Sequence, residues 1–299
     1  RTRVPACLRP PAAMDGVQVK WLEVNQEWSG AGDAPLGMLA AATAAAAVLV
    51  PCVLACLLGQ PRTRASSLLS DRTQRAALVV AHPDDEAMFF WPALLQLTRQ
   101  GVHLSVLCLS TGNADGLGDV RRAEMERSCG RLHISGKDLV ILDVDKLQDG
   151  FHEWPVEAVA GHVRRFLEDR QTKLVLTFDG LGVSGHPNHV STSLGVRRAH
   201  DELRAAAGAD ACEVHMLESA GLATKYLGPL NLLLGARSED ALEWTCYSPL
   251  VCLQALAVHW SQLVWYRVLF TLFSRYAYVN SFVRYDTPPS ASHESRPSE

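Results

Sequence analysis

A chain of 299 residues, 48% of them hydrophobic, is long enough for one sizeable core with appended segments. Its formal net charge is only -4 and no stretch forms a basic stripe, which argues against a nucleic-acid partner. The eight cysteines form no C-x-x-C pair, so reduced, buried thiols are expected rather than a disulfide framework or a thiolate zinc site.

Residues 1–36 begin with Arg1 and mix Pro, Gly and polar residues without a period. They are read as a disordered or non-native extension, with Met14 and Met38 as alternative starts. Residues 37–59 carry no charge and meet the length of roughly 20 apolar residues that a membrane-spanning helix requires. Arg62, Arg64, Arg72 and Arg75 follow this segment, whereas Glu23, Glu27 and Asp33 precede it. The predicted arrangement is therefore a single N-terminal anchor, a basic linker over 60–75, and everything beyond in the cytosol.

From Ala76 onward, short apolar runs alternate with longer helical patterns. Strands are expected at 76–81, 103–110, 139–144, 173–179 and 212–217, with helices at 86–100, 119–131, 155–169 and 189–205. This alternation predicts an α/β, Rossmann-like, mostly parallel sheet with helices on both faces, preceded by the one transmembrane helix. Residues 258–283 hold two Trp, three Tyr and three Phe flanked by arginines. They read as an aromatic amphipathic helix lying on a bilayer, with Val264, Trp265 and Leu269 on the apolar face and Arg267, Thr271, Ser274 and Arg275 opposite. Residues 284–299 are Pro/Ser-rich and expected to be disordered.

The chemistry concentrates where the first strand stops. Leu78-Val-Val-Ala-His82-Pro-Asp84-Asp85-Glu86 ends an apolar run in a histidine, a proline and three acids. Helix capping accounts for one acid and tolerably for a second, but gives no reason for His82. A second turn, His186-Pro-Asn188-His189, follows the fourth strand in the same way. Both turns fall on the carboxyl edge of a parallel sheet, where they can face one another across a crevice. Two imidazoles and a carboxylate make a three-ligand metal site with an open position, and a further carboxylate can accept a proton from water. The pattern points to metal-assisted hydrolysis of an amide or ester.

With those residues in place, 76–218 resembles the LmbE-like family of zinc-dependent sugar N-deacetylases, whose paired signatures are A-H-P-D-D-E and H-P-D-H. The N-terminal anchor and the Ser274-Arg-Tyr…Asn280-Ser-Phe run make it most similar to the eukaryotic branch, which removes acetate from N-acetylglucosaminyl-phosphatidylinositol in the second step of glycosylphosphatidylinositol (GPI) anchor synthesis. The resemblance implies a deacetylase domain over 76–257, a glycolipid substrate, a lipid bilayer as partner, and a place in the endoplasmic reticulum membrane facing the cytosol. It implies His82, Asp85 and His189 as zinc ligands, with Fe2+ as the alternative ion. Asp84 would be the general base, and His186 would stabilise the oxyanion or protonate the leaving amine. Arg121 and Glu124 match a family R-x-x-E and would orient substrate, unless they form a surface ion pair; Asp149 would contact the sugar or merely turn the chain. Glu86 would support a ligand histidine or cap its helix, and Asn188 departs from the Asp of bacterial members, which puts one supporting hydrogen bond in question. A soluble N-acetyl glycoside as substrate, or a non-catalytic membrane-anchored module, are the rival readings.

Overall fold

The computed structural model describes residues 75–208, 211–234, 242–246 and 248–286, together with Thr43, Val50, Thr63 and Arg64. The strands are β1 (Thr63–Arg64), β2 (Arg75–Val80), β3 (His103–Cys108), β4 (Leu139–Ile141), β5 (Leu174–Phe178), β6 (Glu213–Leu217), β7 (Leu242–Thr245) and β8 (Val279–Arg284). The longer helices are α1 (Trp91–Arg99), α2 (Gly118–Gly130), α3 (Val156–Arg170), α4 (Pro187–Ala207), α5 (Pro249–Leu256) and α6 (Trp265–Phe273).

Strand residues alternate between two cores because successive side chains leave opposite faces of a sheet. Leu78, Val80, Val106, Leu176 and Phe178 pack on one face with Leu94 and Leu97 of α1. Ala77, Val79, Val175 and Val214 pack on the other with Val159 and Val163 of α3 and Val196 of α4. Burial on both faces is what a parallel sheet covered by helices demands, and it explains the near-continuous apolar runs. Helices α3 and α4 pack closely at Gly195, where an added Cβ would lie 2.2 Å from Val159 Cγ1.

The strand order is β1-β7-β8-β6-β5-β2-β3-β4. Strands β2 to β6 are mutually parallel, while β8 runs antiparallel between β6 and β7. The chain winds outward from β2 through β3 to β4, then returns to β5 on the other side of β2. The order reverses between β2 and β5, and the crevice at their carboxyl ends is the switch point where ligands bind in such sheets. Both His-Pro turns leave from these two strands.

The parallel strands and first four helices match the sequence expectations to within a few residues. The C-terminal expectation does not hold. The stretch 258–283 is not one helix, because α6 ends where Ser274 turns extended, and Val279–Arg284 enters the sheet as β8. Val279 and Phe282 join the core there, so burying a strand between two others outweighs continuing an apolar helix. Nor does the domain end at 257 or the tail begin at 284, since β7 and β8 complete the same sheet. Thr63–Arg64, placed in the linker, pairs with β7. Thr271, Ser274 and Arg275 are buried while Val264, Trp265 and Leu269 are exposed, so the apolar side of α6 faces away from the core. Among the described residues no helix is long and apolar enough to cross a membrane. The anchor expected over 37–59 lies outside those residues except for Thr43 and Val50, and 1–36 and 287–299 lie outside them entirely.

Asn280 ties β8 to the helix that carries the first turn. Its amide donates to Phe89 O at 2.8 Å and Tyr276 O at 3.1 Å, and its Oδ1 accepts from Ala93 N at 3.0 Å. Asn280→Ala strands these buried groups, so a loss of about 3 kcal/mol or more is expected in denaturant unfolding. An unchanged midpoint and slope would contradict it.

Candidate active site

After Val80 the chain cannot continue the ladder, because Pro83 has no N–H and fixes its own φ. The turn is held by Asp85, whose Oδ2 accepts from Ala81 N at 3.1 Å and His82 N at 2.9 Å. Its Oδ1 is left to face His189 Nε2 at 3.3 Å. Asp84 sits at φ 122°, a backbone region that an L-residue occupies only when its surroundings enforce it. Enforcement comes from Glu86, whose Oε2 accepts the Asp84 N–H at 3.1 Å. A π-helical turn over Glu86–Phe90 then leads into α1, a local irregularity common at functional sites.

The second turn is reached through Val183, another non-glycine residue at positive φ (64°). Pro187 takes the first position of α4, and the His186 ring accepts the Asn188 N–H at Nδ1, 3.3 Å away. The His189 ring stacks on Phe178, the last residue of β5, with centroids 4.2 Å apart and planes 5° apart. Strand β5 therefore fixes the orientation of a ring in the first turn of α4.

The two turns meet. His82, Asp85 and His189 are buried, and one ligand atom from each lies within 4.8 Å of the others. His189 Nδ1 lies 3.1 Å from Gly182 O, so this nitrogen carries the proton and Nε2 presents its lone pair toward Asp85. His82 Nε2 lies between Asn188 Oδ1 at 3.0 Å and Asp149 Oδ1 at 3.1 Å, which puts its proton there and frees Nδ1, 3.8 Å from Asp85 Oδ2. Each imidazole is thus pinned at one nitrogen by an oxygen and turned with the other toward one shared carboxylate. That donor set suits zinc or ferrous iron. Burial opposes the charge on Asp85, yet His189 and His82 beside it hold its pKa at about 2. His82, Asp149 and His186 form a second, overlapping group nearer the mouth.

Asn188 is accounted for by its two hydrogen bonds. Besides accepting from His82, its amide donates to His152 O at 2.7 Å, which an ionised aspartate cannot do. Asp149 also receives Arg121 at 3.1 Å, and burial of its carboxyl is outweighed by His82 and Arg121, so its pKa is lowered. Arg121 and Glu124 do not pair with each other. Arg121 contacts Gly112 O, Asp149 and Gln262, whereas Glu124 is buried and accepts from Ser261 N at 2.8 Å and Ser261 Oγ at 2.6 Å. The structure brings Arg121 and Asp149 to the crevice and commits Glu124 to anchoring the segment before α6.

That segment and α6 together supply three residues the sequence reading missed. Arg267 of α6 forms an ion pair with Asp84, and Gln262 donates to Pro83 O at 2.9 Å. Burial first, and then the neighbouring Asp85, raise the pKa of Asp84, with Arg267 opposing them. His259 Nε2 lies 2.6 Å from Glu86 Oε1, which also accepts from Ser128 Oγ at 2.6 Å. Glu86 therefore braces the backbone of Asp84 from below while Arg267 holds its carboxylate. The one available signal was a lone arginine in nine otherwise uncharged residues. His186 is half-buried; burial, then the adjacent His82 and His189, push its pKa down to about 4, leaving a neutral ring with its proton on Nε2.

A family model described as GlcNAc-PI de-N-acetylase matches residues 77–200. The N-acetylglucosaminyl-phosphatidylinositol de-N-acetylase of Bos taurus is 41% identical over 212 residues, 69% of this chain and 82% of that protein. A probable N-acetylglucosaminyl-phosphatidylinositol de-N-acetylase of Dictyostelium discoideum is 29% identical over 244 residues, 70% of this chain and 93% of that protein. The solved N,N'-diacetylchitobiose deacetylase from Pyrococcus horikoshii superposes with a TM-score of 0.55 at 17% identity, over 74% of this chain and 86% of its own, which shows a shared fold.

The Glu86–His259 pair should leave a signature in stability against pH. Glu86 is lowered from 4.5 despite its burial, because of His259 and Ser128, so its contribution is present above 4.5 and lost as pH falls. His259 is raised from 6.5 against its burial by Glu86, so its contribution is complete below 6.5 and lost as pH rises through the raised value. A double-mutant cycle with Glu86→Gln and His259→Gln should give its largest coupling between pH 4.5 and 6.5, each single change costing about 3 kcal/mol or more there. A coupling that does not vary with pH would show that the pair is not ionised.

Proposed function

The chain belongs to the GlcNAc-PI de-N-acetylase family, and we propose that it hydrolyses the acetamide of N-acetylglucosaminyl-phosphatidylinositol to glucosaminyl-phosphatidylinositol and acetate, the second step of GPI-anchor synthesis. The observation that carries this reading is the pair of pinned imidazoles turned toward Asp85, with Asp84 beside them. The names of the related proteins support the substrate.

His82 Nδ1, Asp85 Oδ1 and His189 Nε2 would hold a divalent ion, zinc or Fe2+. When bound, the ion supplies Lewis acidity to the acetamide carbonyl and to the attacking water. Asp84 is the base of this reading. Arg267 favours its carboxylate form and Glu86 fixes its backbone, so it meets the water already oriented. The water oxygen bonds to the carbonyl carbon while its proton passes to Asp84. His186 donates from Nε2 to the oxygen that gains negative charge, a role open to a neutral imidazole. The C–N bond then breaks and Asp84 returns the proton to the departing amine, which leaves the protein as it began. Arg121 and Asp149, at the mouth, would meet the hydroxyl groups of the sugar.

This reading puts the chain at the endoplasmic reticulum membrane, held by the apolar segment 37–59 with its catalytic domain toward the cytosol. Its support is the lipid nature of the substrate and the arginines that follow that segment.

Asp84→Asn should retain bound metal and lose deacetylation by about 10²–10⁴-fold, because a base and not a ligand is removed. His189→Ala should lose the metal together with activity. Acetate release from the lipid-linked substrate and metal content, measured on the same samples, decide both. An active Asp84→Asn protein would remove Asp84 from the mechanism.

A further inference from the structure

Two segments with little charge border the crevice. Residues 222–234 contain one charged side chain, Lys225, and α6 contains one, Arg267. Both point inward, and each reaches one of the two turns. Lys225 Nζ donates to Val183 O at 2.6 Å, in the loop leading to His186, and Arg267 pairs with Asp84. The segments abut: Tyr226 lies edge-on to Phe270 at 6.3 Å, and Arg275 just past α6 donates to Asn231 at 3.1 Å. Gly228, where φ is 53°, faces the end of α6 at a distance that leaves room for no more than a methyl group, since a Cβ there would touch the Leu272 carbonyl at 3.6 Å.

What remains outside is apolar. Trp265 is 62% exposed, Tyr266 56% and Leu222 79%, joined by Leu233, Leu234 and Leu269. Buried polar residues and exposed aromatic and aliphatic ones are the reverse of a helix that only packs on a core. Folding in water gains nothing from it, so something else covers this face.

The chemistry of the face selects among coverings. Protein partners are held through a polar rim and directed hydrogen bonds. Among the described residues of these two segments the outward groups include no charge, and the polar atoms on offer are chiefly the hydroxyls and indole of Tyr226, Tyr266 and Trp265. Trp and Tyr are the side chains that settle where acyl chains meet head groups. The face also frames the entrance: Phe270 lies 5.8 Å from Phe89, which lies 5.9 Å from His189, and Phe151, 83% exposed, stands 5.6 Å from His186.

We infer that the face formed by residues 222–234 and α6 seats on the surface of the phospholipid bilayer, so that a membrane-borne sugar head group enters the crevice from the lipid side. This rests on the deacetylase reading for its substrate, but not for its contact. It also makes the domain itself a membrane-binding body, in addition to any N-terminal anchor.

The test uses the full chain reconstituted in phosphatidylcholine vesicles that contain a phosphatidylcholine with a photoactivatable acyl chain. Cross-links at 222–234 and 264–270, with none on the outer side of α3, are expected. Label absent from both segments, or Trp265 captured by a second copy of the chain, overturns the inference. In parallel, Trp265→Asp combined with Leu269→Asp should lower turnover of vesicle-borne substrate about tenfold or more and leave unchanged that of a water-soluble analogue lacking acyl chains. Loss of the same size on both substrates, or on neither, counts against a docking role. A wild-type chain that turns over neither substrate removes the deacetylase reading, while the cross-linking pattern still decides the contact.

Discussion

Everything in the crevice depends on one buried carboxylate held in common. Asp85 cannot stay charged away from water without partners, and removing one member of such a pair costs about 3–5 kcal/mol. It therefore recruits the backbone of its own turn with one oxygen and, with the other, a histidine from the helix that follows another strand. The arrangement requires β2 and β5 to be neighbours, and the reversal of strand order makes them so. Topology and electrostatics specify the same point in space, about a hundred residues apart in the chain.

Around that point the support is layered. Asn188 and Asp149 set one imidazole, Gly182 O and the Phe178 ring set the other, and neither ring has freedom to turn. Beneath the turn, Glu86 joins His259, Ser128 and the strained backbone of Asp84 in a fully buried network. The family match covers 77–200, yet His259, Gln262 and Arg267 come from beyond it. The segment after the matched region thus closes one wall of the crevice and helps hold its base.

Legibility in the sequence followed locality. Strands β2 to β6 could be read because each is a short apolar run bounded by a turn, and both His-Pro turns because proline breaks a strand visibly. Asn188 was noticed as a departure, but its meaning needed His152 O, which no spacing announces. Arg121 and Glu124 looked like one motif and proved to serve different neighbours. The C-terminal region misled because Val279-Asn-Ser-Phe-Val-Arg284 follows an apolar helix and carries no alternation of apolar and polar residues of its own. Its identity as a strand comes from β6 and β7 on either side, an interaction that composition does not encode. Which side of α6 packs on the core needed the structure for a related reason. Amphipathicity tells which residues share a face, not whether that face looks in or out.

The place of β8 carries a consequence for biosynthesis. It is the last of the eight strands to be made, yet it lies inside the sheet, with β6 on one side and β7 on the other. Until it emerges from the ribosome, β6 exposes an open edge and β7 has no interior partner, the condition in which chains pair wrongly or need chaperones. The stretch just before β8 brings His259 and Arg267 beneath and beside Asp84. Completion of the sheet and completion of the crevice are therefore one event, and a nascent chain gains its base-holding contacts only with the stretch that also supplies β8.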